Sequence, residues 1–73
     1  MAAPDLRTVV AENIRRLASE RSITLNALAD FADVSRAQLF DVLGATKAAT
    51  TDWLAKIAIV LKVEPWELLK PPE

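Results

Sequence analysis

The chain has no cysteine, no histidine and no tyrosine, one glycine, and few aromatic residues of any kind. Without cysteine there is no disulfide framework, no thiolate zinc cluster and no thiol chemistry. Without histidine, the commonest general base and metal ligand at neutral pH is missing. A single glycine cannot build the glycine-rich loops that cradle nucleotide phosphates. Together these absences argue against an enzyme, and no cofactor and no metal ion is expected. Long apolar runs are lacking too: none approaches the ~20 residues that span a bilayer, so no membrane partner is expected. The opening Met1-Ala2-Ala3-Pro4-Asp5 lacks the charged and apolar regions of a signal peptide. A cytoplasmic location is the expectation. Neither sign of charge dominates, with nine basic residues against ten acidic ones and a net charge of −1.

What remains is a chain of 73 residues, 52% hydrophobic and rich in Ala and Leu, close to the smallest size that supports a core of its own. The spacing of its apolar residues predicts one all-α domain over 1–73, made of five helices. The first runs from about Asp5, as a cap, to Glu20, with Leu6, Val10, Ile14 and Leu17 as an inward stripe. A fourth runs from about Asp52 to Leu61 behind a Thr51 cap and buries Trp53 or Leu54, with Ile57, Ala58 and Leu61. Pro65 opens a short fifth helix that carries Trp66, Leu68 and Leu69, and residues 70–73 are read as a frayed tail.

Residues 24–43 are the most informative stretch. Thr24 is a suitable cap for a helix over 25–32, and Ser35 with Gln38 forms a capping box for a helix over 36–43. Leu28 and Ala32 share one face of the first, and Leu39, Val42 and Leu43 one face of the second. Ala29 is small where two steeply crossed helices approach. Val34 plugs the turn between them, and Gly44 follows the second helix as a stop signal. The arrangement is a helix-turn-helix, whose usual task is to lay its second helix in the major groove of DNA.

This helix order and this motif resemble the phage repressor and Cro-type (XRE-like) helix-turn-helix DNA-binding family. The resemblance runs from about Val9 to Leu69 and rests on Leu28-Ala29, the Val34-Ser35 turn, the Leu39/Val42 frame and the closing Leu61-x-Val63-x-x-x-x-Leu68-Leu69 run. It implies a sequence-specific regulator that binds double-stranded DNA as a homodimer on a two-fold operator. By the same resemblance, Ser35, Arg36, Ala37, Phe40 and Asp41 fall at base-contacting positions, and Thr46 and Lys47 fall where the family touches phosphate. Thr24 and Gln38, at the two helix starts, join them as candidate DNA contacts. Arg36 suits guanine, Ala37 or Phe40 a thymine methyl, and Asp41 only a cytosine amine. Trp66, Leu68 and Leu69 are the candidate dimer interface, on a helix too short to bury all three.

The chain departs from the family pattern at several places. Leu25 stands where the family commonly has Gln, and Asp33 replaces the turn glycine, a position aspartate tolerates better than most residues. Ala18 and Leu43 occupy positions where many members hold a buried Arg–Glu pair. Exchanging both partners for apolar residues is compatible with the same fold, whereas losing one would strand a charge. The basic excess usual in DNA-binding domains is absent, and Arg15, Arg16 and Arg21 read more simply as a solvated helix face than as a phosphate clamp. A second reading therefore stands beside the first: a protein-interaction module, antirepressor or antitoxin-like, whose Leu25, Phe31, Phe40 and Asp41 face meets another protein.

Overall fold

Each α-helix begins at a side chain that satisfies a donor of its own first turn. In the computed structural model, which describes residues 5–71, these helices are α1 (Leu6–Glu20), α2 (Leu25–Ala32), α3 (Arg36–Leu43) and α4 (Thr51–Leu61). Asp5 accepts from the Arg7 amide at 3.0 Å, Thr24 from Ala27 at 3.1 Å, Ser35 from Gln38 at 3.3 Å and Thr50 from Trp53 at 3.1 Å. The cap of α4 is thus Thr50; Thr51, expected as the cap, is the first helical residue. The Ser35 box is half made, because the Gln38 side chain forms no return bond among the described residues. In place of a fifth α-helix stands a single 3-10 turn, Pro65–Leu68; with Pro71 so close behind, the segment is too short for more than one turn. Among the described residues there is no strand, and no helix is long and apolar enough to cross a membrane.

The helix ends share one device. Ser22, Asp33, Ala45 and Lys62 have φ of 54°, 57°, 58° and 59°, left-handed values at which a side chain costs roughly 1–2 kcal/mol. At each, the amide of the following residue reaches back five positions: Ile23 to Ala18, Val34 to Ala29, Thr46 to Asp41 and Val63 to Ala58, all at 2.9–3.1 Å. These are Schellman closures, in which an apolar residue after the left-handed one packs on the helix it has just left. Ile23, Val34 and Val63 do so against the core; the end of α3 is the exception, with Thr46 in that place. Gly44 therefore is not the left-handed stop. Its φ is −82°, and Ala45 takes the strained position one residue later.

Among the described residues, eighteen apolar residues are buried, drawn from all four helices and the 3-10 turn. Leu28, Ala29, Leu39, Ile57, Leu61 and Leu68 are wholly enclosed, and both Trp53 and Leu54 are buried. Ala18 and Leu43 lie within this interior as two apolar residues. The Trp53 indole N–H has no hydrogen-bond partner among the described residues. Two expected core positions differ. Val34 is half-buried, because it covers the turn from outside rather than filling it. Leu6 is 53% exposed at the lip of an apolar cleft of about 200 Å³ that it shares with Val10, Val42, Leu54 and Leu69.

Among the described residues one polar side chain is buried, and it ties α1 to the segment after α4. Asn13, 1% exposed in α1, donates through Nδ2 to the carbonyls of Leu68 and Lys70 at 2.9 Å each, with a longer contact of 3.4 Å to that of Glu67. Its Oδ1 accepts from Arg16 Nη2 at 3.3 Å. The segment after Leu68 is thus anchored through Lys70 rather than frayed there; positions 72 and 73 of the expected tail lie outside the described residues.

Candidate nucleic-acid interface

Leu28, Ala29 and Ala32 of α2 and Leu39, Val42 and Leu43 of α3 are all buried in the common core. With those faces inward, the opposite face of α3 is fixed by the helical period. Arg36, Ala37 and Phe40 lie on it in the open, with Ser35 and Gln38 exposed at its start. Phe40 is 47% exposed. Asp41 is half-buried at the flank, and Thr46 and Lys47 stand exposed in the loop that follows. Thr24 is exposed at the head of α2. Most of the residues singled out thus lie along the exposed side of α3 and in the loop at its end, while Thr24 stands at the head of α2.

The electrostatics of that end are local pairs. Arg36 lays one edge of its guanidinium against the Asp30 carboxylate of α2, with Nη2–Oδ2 at 2.8 Å and Nε–Oδ1 at 3.3 Å. The hydrogen bond from Arg36 lowers the Asp30 pKa from its ordinary value; desolvation opposes it, and the positive charge of Arg36 adds a lesser lowering. Arg36 is raised in turn, first by the same hydrogen bond. Asp41 organises the loop. Its carbonyl accepts from the Thr46 amide at 3.1 Å and the Thr46 hydroxyl at 2.9 Å, and its carboxylate meets Lys47 Nζ at 3.3 Å. Each cation expected to face DNA is thus held by an aspartate of the motif itself. Arg16 of α1 and Arg21 just after it lie against Glu20 at 3.2 and 3.9 Å.

Two of these contacts were not foreseen from the sequence. Asp30 and Arg36 are six apart, and no helical period joins them; only the reversal at left-handed Asp33 brings the last turn of α2 beside the first residue of α3. Asn13 had a legible signal, because it sits between Val10 and Ile14 on the apolar stripe of α1. Leu25, in the place of the family's Gln, packs half-buried against the core.

The candidate association surface divides differently from expectation. Trp66 is 59% and Leu69 38% exposed, but Leu68 is fully enclosed by its own chain. The 3-10 turn directs Leu68 inward between α1 and α4, so Leu68 is withdrawn as an interface residue.

A family model of the Cro/C1-type HTH DNA-binding domain matches residues 13–73. Among solved structures, a hypothetical transcription factor, NHTF, from Neisseria is similar over 99% of this chain and 86% of its own, at 27% identity and a TM-score of 0.89. The restriction-modification controller protein C.AhdI from Aeromonas hydrophila shares the fold over 85% of this chain and 94% of its own, at 21% identity and TM-score 0.80. The clp gene regulator ClgR from Corynebacterium glutamicum shares it over 93% and 72%, at 24% identity and TM-score 0.83. No curated protein sequence matches the chain significantly.

Proposed function

The chain belongs to the Cro/C1-type helix-turn-helix DNA-binding domain family, and from that premise we propose that it is a sequence-specific transcriptional regulator acting as a homodimer on a two-fold operator. The observation that carries this reading is the solvent-facing side of α3, which offers a guanidinium, a methyl group and an aromatic ring beside a polar loop. A helix of this size fits the major groove, where Arg36 suits guanine and Ala37 or Phe40 suits a thymine methyl. Thr24, Ser35, Gln38, Thr46 and Lys47 flank it as backbone-positioning contacts. Dimerisation doubles the bases read, and the exposed Trp66 and Leu69 supply the apolar surface for it. A soluble intracellular setting follows from this function.

The test is binding to an operator selected in vitro from random duplexes, followed by fluorescence anisotropy. Arg36→Ala loses about 1–3 kcal/mol per half-site and relaxes preference at one position. Lys47→Ala weakens all sequences alike and lowers the salt dependence slightly. Asp41→Asn tightens non-specific binding. A second reading, a protein-interaction module, draws on the exposure of Phe31 and Phe40 (73% and 47%). It requires weak DNA binding in every variant and loss of a protein partner on Phe40→Ala. Failure of any duplex to enrich, with no salt-sensitive complex, overturns the DNA reading.

A further inference from the structure

We infer that Asp30 is a positioning residue that sets which edge of Arg36 is presented to a base. The inference rests on the reading of Arg36 as the base contact. A guanidinium has two edges that can each make a pair of parallel hydrogen bonds, one through Nε and Nη2 and the other through Nη1 and Nη2. Asp30 occupies the first, with both its oxygens engaged at 3.3 and 2.8 Å. The second edge, the end of the side chain, retains the two parallel donors that match O6 and N7 of guanine.

An arginine without this brace is a long, mobile side chain that can swing to the nearest phosphate, a contact that carries no sequence information. The brace opposes that outcome in two ways. It restricts the side chain's rotamers before DNA arrives, and it places a carboxylate where a phosphate would otherwise bind the Nε edge. The contact comes from a different helix, so the guanidinium is fixed relative to the α2–α3 frame and not merely along α3. The Lys47–Asp41 pair differs, because a single ammonium contact at 3.3 Å fixes a charge without fixing an edge.

The experiment compares wild type, Arg36→Ala, Asp30→Ala, Asp30→Asn and the Arg36→Ala/Asp30→Ala double variant. Each is titrated on the operator selected with the wild type, on its single-base variants, and on a random duplex, with thermal unfolding as a control. The expected result is loss of guanine preference at one position in Arg36→Ala, roughly 5- to 150-fold for a bidentate pair, and a smaller loss at the same position in Asp30→Ala. Asp30→Asn, which keeps one acceptor, retains more of the preference than Asp30→Ala. Binding to the random duplex stays level or rises, the unfolding midpoint falls by no more than the loss of one exposed ion pair explains, and the double variant is no less selective than Arg36→Ala. An Asp30→Ala variant that keeps or sharpens its preference while Arg36→Ala loses it overturns the inference and makes the carboxylate a brake on binding. An Arg36→Ala variant with full preference overturns the assignment of the base contact itself, and this inference with it.

Discussion

Removing the Asn13 amide tests the part of the fold that ties α1 to the segment after α4. Asn13 Nδ2 makes two bonds of 2.9 Å to main-chain carbonyls 55 and 57 residues away. Losing them costs about 1–3 kcal/mol net, and the space left by truncation to alanine adds about 1 kcal/mol. The expected loss for Asn13→Ala is therefore about 2–4 kcal/mol, out of roughly 4–11 kcal/mol for a domain of this length. Asn13→Asp is the sharper variant. It keeps the shape and the acceptor facing Arg16 but, when ionised, turns an oxygen toward two carbonyls. At neutral pH it is expected to be less stable than Asn13→Ala, and to recover on acidification as the carboxyl regains a proton to donate. Urea unfolding followed by tryptophan fluorescence and far-UV circular dichroism measures both. If both variants stay within about 0.5 kcal/mol of wild type, the range of an ordinary surface change, the amide does not hold that segment.

Other consequences follow from the same structure. Exchanging Gly44 and Ala45, so that the glycine occupies the residue with φ 58°, is expected to stabilise the domain by about 0.5–1 kcal/mol; a Cβ at position 44 meets only an ordinary 3.4 Å contact with the Phe40 carbonyl, and a lower unfolding midpoint would contradict this. Leu39→Ala, at a wholly buried site, is expected to lose about 2–5 kcal/mol and to leave the chain largely unfolded by circular dichroism. The Asp30 carboxyl should titrate below the usual aspartate range by NMR and return to it in Arg36→Ala; because its pKa is depressed by the fold, its contribution to stability is present above the unfolded value and lost as pH falls through the folded one. Trp66→Ala should weaken the self-association of the proposed dimer in sedimentation, and a wild type that stays monomeric at high micromolar concentration would remove Trp66 and Leu69 from that role.

Helix positions were legible because they depend on local chemistry. Asp5, Thr24 and Ser35 cap the helices they were expected to cap, and α2 and α3 occupy the ranges read from apolar spacing. Even the replacement of a turn glycine by Asp33 was legible, since its φ of 57° is one that aspartate tolerates. Errors arose where a residue's fate depends on distant chain. Leu68 looks available for a partner until α1 and α4 close over it, and Leu6 looks buried until its stripe runs past the end of the core. Gly44 does follow α3 as its cap, as expected, but with φ −82° it leaves the left-handed position of the closure to Ala45.

The near-neutral charge, which weighed against DNA in the sequence, has a different meaning in three dimensions. Asp30 and Asp41 are two of the three aspartates between residues 24 and 43, and each contacts a cation of the same surface. Their cost to long-range attraction is real, because a protein drawn to phosphate by net charge binds every duplex alike. What is lost there is non-specific affinity, and specificity is the ratio of the operator to that background. A carboxylate that lowers the background and orders the side chain that reads a base raises the ratio from both sides. On this account the acidic residues of the motif and its modest charge belong to one design, and replacing Asp30 and Asp41 with neutral residues should yield a tighter but less discriminating DNA-binding protein.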